Sequence, residues 1–246
     1  MMLMIAKKRY LLVPLLCLTL TYTTAALVGR GIYLSLTLSE LGAVEVVGAV
    51  GLLLASALLL IAFIRYWKTK GHETFVPAKG LSYLVLALIL LLSAGEELSW
   101  GQHFLNIETP DAIGSVNRQN EINLHNLIIS TPGGQTINVS IWTSRLFNMF
   151  WLLWAVILPI VSALYEPARL RLNNLMPIIP WSLGLLFVAN YGLFRASLLV
   201  FSVGRHTGMN EVKESNFGVL FALVAAYVLG DMMKLESATS IPAQET

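Results

Sequence analysis

The sequence predicts an all-α polytopic integral membrane protein of about six transmembrane helices, with a short interfacial or re-entrant helix between spans three and four. Three observations carry this. Of 246 residues, 56% are hydrophobic and only 12% charged, with a mean hydropathy of +0.71; soluble domains carry about twice that charged fraction. The apolar residues fall into runs of about 20, the length that crosses a hydrocarbon core. Lys and Arg gather in alternate connections. No soluble core of this length could hide so much apolar surface, so lipid is the solvent for much of the chain.

Within a single transmembrane domain, 1–246, the predicted spans are 10–28, 43–65, 80–99, 141–164, 178–203 and 216–233, with an external polar segment at 104–140. The first run has signal-peptide features, since KKR precedes a short apolar core and TTAA follows it. Its apolar character continues through Leu27 and Val28, which favours an uncleaved anchor. Bulky Leu16 makes PLLC a poor lipoprotein signal. The single cysteine, Cys17, excludes an intramolecular disulfide and a cysteine-based metal cage. A net charge of +2 without a basic cluster excludes a nucleic-acid face.

Orientation follows from the basic residues. One side takes ten: Lys7, Lys8, Arg9, Arg65, Lys68, Lys70, Lys79, Arg169, Arg171 and Lys234. The other takes five: Arg30, Arg118, Arg145, Arg205 and Lys213. Ten against five predicts cytoplasmic termini, in a bacterial inner membrane. Trp67 and Trp181 then mark the inner interface, and Trp100 and Trp142 the outer one. The polar stretches collect on the periplasmic side.

The first of these is GEELSWGQHF, residues 95–104. Two adjacent carboxylates, Glu96 and Glu97, follow the run LVLALILLLSA and are expensive in lipid unless partnered. If the helix continues, Glu96 and His103 share a face, flanked by Ser99 and Trp100. The plain alternative is a helix end entering water. The second stretch is NRQNEINLHN, residues 117–126. Glu121 and His125 stand four apart, so on a helix they could hold one ion or share one hydrogen bond. Five amides surround them: Asn117, Gln119, Asn120, Asn123 and Asn126. Their apolar neighbours predict a short helix at the interface or re-entering the outer leaflet; the plain alternative is an amphipathic surface helix. The third stretch holds His206, Glu211 and Glu214, and carboxylates at the start of the last span are sufficiently explained by the helix dipole. Arg195, inside span five, needs a carboxylate partner; Glu96 or Glu97 is preferred to Glu45.

Together, GEELSWGQ and NRQNEINLHN resemble a pattern found in a family of bacterial polytopic membrane proteins. That resemblance covers about 30 residues and implies a fold class but no activity. Ceramidase-like hydrolases also place Ser, acidic and His residues at one membrane face. This chain lacks their paired late-helix histidines.

Two function classes stay open. The first is a hydrolase or transferase acting on a lipid or lipid-linked substrate from the outer face. Its catalytic residues would be Glu96, Glu97, His103, Glu121 and His125. Ser99, Trp100, Gln102, Asn117, Gln119, Asn123, Asn126 and Arg195 would bind substrate. A divalent metal would rest on His103, His125 and Glu121. The second is a non-catalytic protein whose polar cluster is a structural plug or binds a lipid or protein partner. A small transporter ranks third, because interruptions such as Pro159 are few. Both leading classes require the two polar stretches to meet, since Glu96 and Glu97 need donors and residues 117–126 supply them. Pro110 and Gly114 would turn the chain back, and Trp100 would roof the pocket.

Overall fold

In a computed structural model, the protein is described over residues 9–28, 33, 36–37, 42–70, 77–131, 133–200 and 206–239. Lys7, Lys8, Arg30, Arg205, residues 201–203 of the fifth expected span and the side chain of His206 lie outside the described residues. The elements are α1 (Arg9–Leu27), α2 (Ala43–Lys70), α3 (Ala78–Glu97), two helical turns α4 (Gln102–Leu105) and α5 (Asp111–Gly114), and strands β1 (Ile128–Ser130) and β2 (Thr136–Asn138). There follow α6 (Val139–Trp151), a π turn (Leu152–Ile157), α7 (Leu158–Leu164), α8 (Glu166–Leu175), α9 (Trp181–Val200) and α10 (His206–Thr239).

Five segments are long and apolar enough to cross a membrane: Ala43–Thr69, Ala78–Glu97, Val139–Leu164, Trp181–Val200 and Gly208–Lys234. The run Leu11–Leu27 is a shorter apolar helix. The all-α, multi-pass class and its six apolar segments are therefore as expected. The last helix begins earlier than expected, at His206 rather than at residue 216.

Local chemistry sets several boundaries. Pro77 stands immediately before α3, where its missing N–H removes no helix bond. Asn138 caps α6, its side-chain oxygen accepting the N–H of Ser140 at 3.1 Å. Pro159 cannot donate to the carbonyl of Ala155, and the chain passes through the wide π turn just before it. Gly184 of α9 fits against that carbonyl. A Cβ there would come within 2.1 Å of the Ala155 oxygen.

The tightest crossing is between α2 and α10, which run parallel. A Cβ on Gly51 would lie 2.5 Å from the backbone of Gly218, and one on Gly218 would lie 2.1 Å from the oxygen of Gly48. Small residues let helix backbones approach in lipid, where association rests on packing rather than on hydrophobic burial. This crossing draws the first turns of α2, with Glu45, towards the early turns of α10, with Glu211 and Glu214. Helix α3 ends at the same end of the bundle with Glu97. We call this the site end.

Aromatic side chains fill the core between α6, α9 and α10. Phe221 stacks on Trp154 with centroids 6.0 Å apart and meets Phe187 edge-on at 5.1 Å. Polar contacts fix the remaining interfaces. Asn190, fully buried, accepts from the Tyr22 hydroxyl at 2.9 Å and donates to the carbonyl of Lys213 at 2.9 Å, tying α1, α9 and α10 together.

Candidate functional site

The site starts with a left-handed turn. Ser99 (φ 45°), Trp100 (φ 55°) and Gly101 (φ 81°) follow the end of α3 in succession. For a residue other than glycine this conformation costs about 1–3 kcal/mol, and it persists only where surrounding contacts over-determine it. Here they do. The Trp100 indole N–H donates to Glu96 Oε1 at 2.9 Å, and the Ser99 hydroxyl donates to Glu121 Oε2 at 2.8 Å. Gly95 provides the seat for the indole, because a Cβ there would lie 2.7 Å from the ring. The helix therefore stops before His103. The shared face expected for Glu96 and His103 does not exist, because the turn carries His103 onto α4 instead.

Residues 117–126 are also not a helix. Asn117 provides the reason. Its Oδ1 accepts the N–H groups of Gln119 (2.9 Å) and Glu121 (3.2 Å), while its Nδ2 donates to the backbone oxygen (2.9 Å) and Oδ1 (3.0 Å) of Asn123. Such side-chain bonds offer the backbone an alternative to helix. Asn120 takes the left-handed conformation (φ 57°), and Asn126 donates to Gln119. An isolated bridge joins Asn117 to Leu127 and leads into the β1–β2 hairpin. Glu121 and His125 are thus not one helical turn apart.

The two stretches do meet, and their charged residues pair across the junction. Glu96 Oε2 accepts the backbone N–H groups of Leu124 (2.7 Å) and His125 (3.0 Å) and lies 3.4 Å from His125 Nδ1. Glu121 Oε1 lies 3.2 Å from His103 Nε2, and its Oε2 also accepts from Asn123 Nδ2 at 2.6 Å. Gln102 joins the same junction. Its Oε1 accepts the N–H of Ile122 at 2.6 Å and its Nε2 donates to Thr109 at 2.6 Å. Glu96 and Glu121 are therefore engaged as hydrogen-bond acceptors that hold the junction closed.

Of the three expected metal ligands, His103 and Glu121 touch, but His125 is engaged by Glu96. They do not form one ligand set. Among the described residues, the trio whose ligand atoms lie within 4.8 Å of one another is Glu97, Glu211 and Glu214. Three carboxylates suit a hard divalent cation, which prefers oxygen ligands. Glu97 and Glu211 have no hydrogen-bond or ion-pair partner among the described residues. Glu214 accepts from Asn210 Nδ2 at 2.9 Å and lies 3.3 Å from Lys213 Nζ. Glu45 lies within electrostatic reach of Glu97, Glu211 and Glu121.

Lys213 is the cation of this cluster. It is only 8% exposed, donates to Asn210 Oδ1 at 2.6 Å and sits 4.8 Å above the Phe194 ring. Arg195, expected to pair with Glu96 or Glu97, is instead exposed, with no carboxylate in ion-pair range among the described residues. It stands five residues from the end of α9, close enough for a long side chain to reach the interface. In the sequence Glu211 and Glu214 read as carboxylates at a helix start, which hides them as site residues. They lie beyond the first turn of α10, where the helix dipole no longer explains them.

Two cavities flank the junction. One, of about 590 Å³, lies between α3 and α6. Its walls include Ile89, Leu92, Leu146 and Phe150, and it reaches Glu96, Glu97, His125 and Glu214. The other, of about 610 Å³, is lined by Gln102, His103, Asn106, Thr109, Gln119 and Asn120, with Ile107 and Glu108. An apolar cleft and a polar pocket thus approach the same knot of carboxylates and histidines. The chain matches no family model, no curated protein and no solved structure, so this geometry stands without a relative to compare it with.

Proposed function

We propose that the protein is a membrane enzyme, a hydrolase or transferase, acting on a lipid or lipid-linked substrate taken sideways from the outer leaflet. The observation that carries this reading is the apolar cleft between α3 and α6 that ends on Glu97 and Glu214. Apolar walls with a few convergent polar groups are the usual make-up of a ligand site. A plug would satisfy its own polar groups, yet among the described residues neither Glu97 nor Glu211 makes a direct hydrogen bond or ion pair, Lys213 reaching them only at longer range. Carboxylates inside a membrane protein that lack a direct donor are expensive, and such groups concentrate at functional sites.

In this reading the substrate chain lies along Leu92, Leu146 and Phe150. Its polar head reaches Glu97, Glu211 and Glu214. Glu97 serves as general base toward water or a polar acceptor entering through the pocket beside His103. Glu96, Glu121, Gln102, Asn117 and Asn123 hold the roof. The ten-to-five bias of Lys and Arg supports an outward-facing site with cytoplasmic termini.

The test uses purified protein in nanodiscs made from a total bacterial lipid extract, with products followed by mass spectrometry. The wild type should consume one lipid class. Glu97→Gln should slow this by about 100-fold or more, the usual scale for a lost general base, without lowering the melting temperature. Absence of any lipid turnover by the wild type, or full activity in Glu97→Gln, would overturn the proposal.

A further inference from the structure

The carboxylates at the floor of the cleft select its occupant. Resting on the reading that the cleft admits a lipid, we infer that the ligand carries a cationic head, an amine or quaternary ammonium, close to its chain. Glu96, Glu97 and Glu214 line the cleft, Glu211 offers a ligand atom within 4.8 Å of those of Glu97 and Glu214, and Glu45 lies within electrostatic reach of Glu97. Lys213 is the lysine placed among these five carboxylates, and His125 is held by Glu96. A phosphate or carboxylate head would add further acceptor oxygens, and like charge wherever the carboxylates are ionised, to a place already crowded with acceptors, which disfavours it. A cationic head would complement it.

Two further features agree. Lys213 is an internal precedent, because its primary ammonium already rests against Glu214 at 3.3 Å and over an aromatic ring at 4.8 Å. Trp100 lines the cleft and is held by Glu96 and seated on Gly95, leaving it 48% exposed. An indole face is the best aromatic partner for an ammonium group. Lys213 also argues against a divalent ion, since it would set an ammonium beside the metal. The apolar walls run down to the carboxylates, so an amphiphile fits better than a free ion.

The experiment compares oleylamine, oleyl alcohol and oleic acid, each added to the protein in phosphatidylcholine nanodiscs, with retention measured by native mass spectrometry. Oleylamine should be retained at about tenfold lower concentration than the alcohol, the size of one partly desolvated cation contact. In the Glu97→Gln/Glu214→Gln double variant the two should become equal, the amine losing its tenfold advantage. Glu211→Gln should show the same trend if the double variant fails to fold. Leu146→Trp, which fills the cleft, should weaken binding of all three. Equal retention of the three by the wild type would overturn the head-group inference while leaving the cleft reading intact. A preference for the amine that survives in folded Gln variants would also overturn it. No retention of any of them, with Leu146→Trp without effect, would remove the cleft reading itself. Mn²⁺ that stabilises the wild type but not Glu97→Gln, and that displaces oleylamine, would identify a metal site in its place.

Discussion

Glu96 and His125, 29 residues apart, share a single carboxylate oxygen: it accepts the His125 N–H at 3.0 Å and lies 3.4 Å from the ring Nδ1. The same oxygen accepts the N–H of Leu124 at 2.7 Å, and its twin holds the Trp100 indole at 2.9 Å. One carboxylate therefore joins the end of α3, the left-handed turn and the polar loop.

Glu96→Ala should loosen all three. It strands two backbone donors and one indole donor, for an expected loss of about 2–4 kcal/mol. His125→Ala leaves those donors bonded and should cost about 1 kcal/mol or less, as expected for a half-exposed ion pair. Thermal unfolding in detergent, with limited proteolysis at 117–126, separates the two. Equal losses would show that the imidazole, not the backbone pair, holds the loop.

Glu121→Gln keeps the shape of the side chain but removes its charge, weakening the contacts to His103, Ser99 and Asn123. Hydrogen bonds to charged groups contribute about 1.5–3 kcal/mol, so the melting temperature should fall by several degrees. His103→Gln in the same background should add little beyond Glu121→Gln alone, because the two residues share one interaction. A double-mutant cycle checks this; full additivity would count against a direct pair.

Gly51→Leu and Gly218→Val should each prevent correct folding, because the α2–α10 backbones leave no space for a Cβ. Gly192→Ala, where a Cβ meets nothing within 4 Å, is the matched control and should be neutral or stabilising. Yield of monodisperse protein after detergent extraction measures the difference. Tolerance of Gly51→Leu would show that the two helices stand further apart.

Arg195→Leu should change stability by less than about 0.5 kcal/mol, as expected at an exposed position with no carboxylate in ion-pair range among the described residues. Lys213→Met should be far worse, because it leaves Glu214 and its carboxylate neighbours without their cation, a change that costs about 3–5 kcal/mol at buried pairs. Melting curves of the two variants side by side decide the point. A large loss in Arg195→Leu would restore the ion pair expected from its depth.

The fold class, the number of apolar segments and the meeting of two polar stretches were legible in the sequence. Apolar run length is a local property, and the bilayer reads it directly. The meeting followed from donor and acceptor economy: Glu96 needed donors that residues 117–126 could supply. Which residue pairs with which was set by the packed chain. The spacing of Glu96 to His103 and of Glu121 to His125 suggested pairs within each stretch, on continuous helices. The Ser99–Trp100–Gly101 turn and the side chain of Asn117 broke both helices, so the pairs formed across the junction. The carboxylate trio was hidden for a similar reason. Glu97 is far in sequence from Glu211 and Glu214, and the close crossing of α2 and α10 at Gly48, Gly51 and Gly218, with α3 packed alongside, brings it within ligand distance of them. Periodicity records which face of one helix is apolar; it carries no information about which neighbour that face will meet.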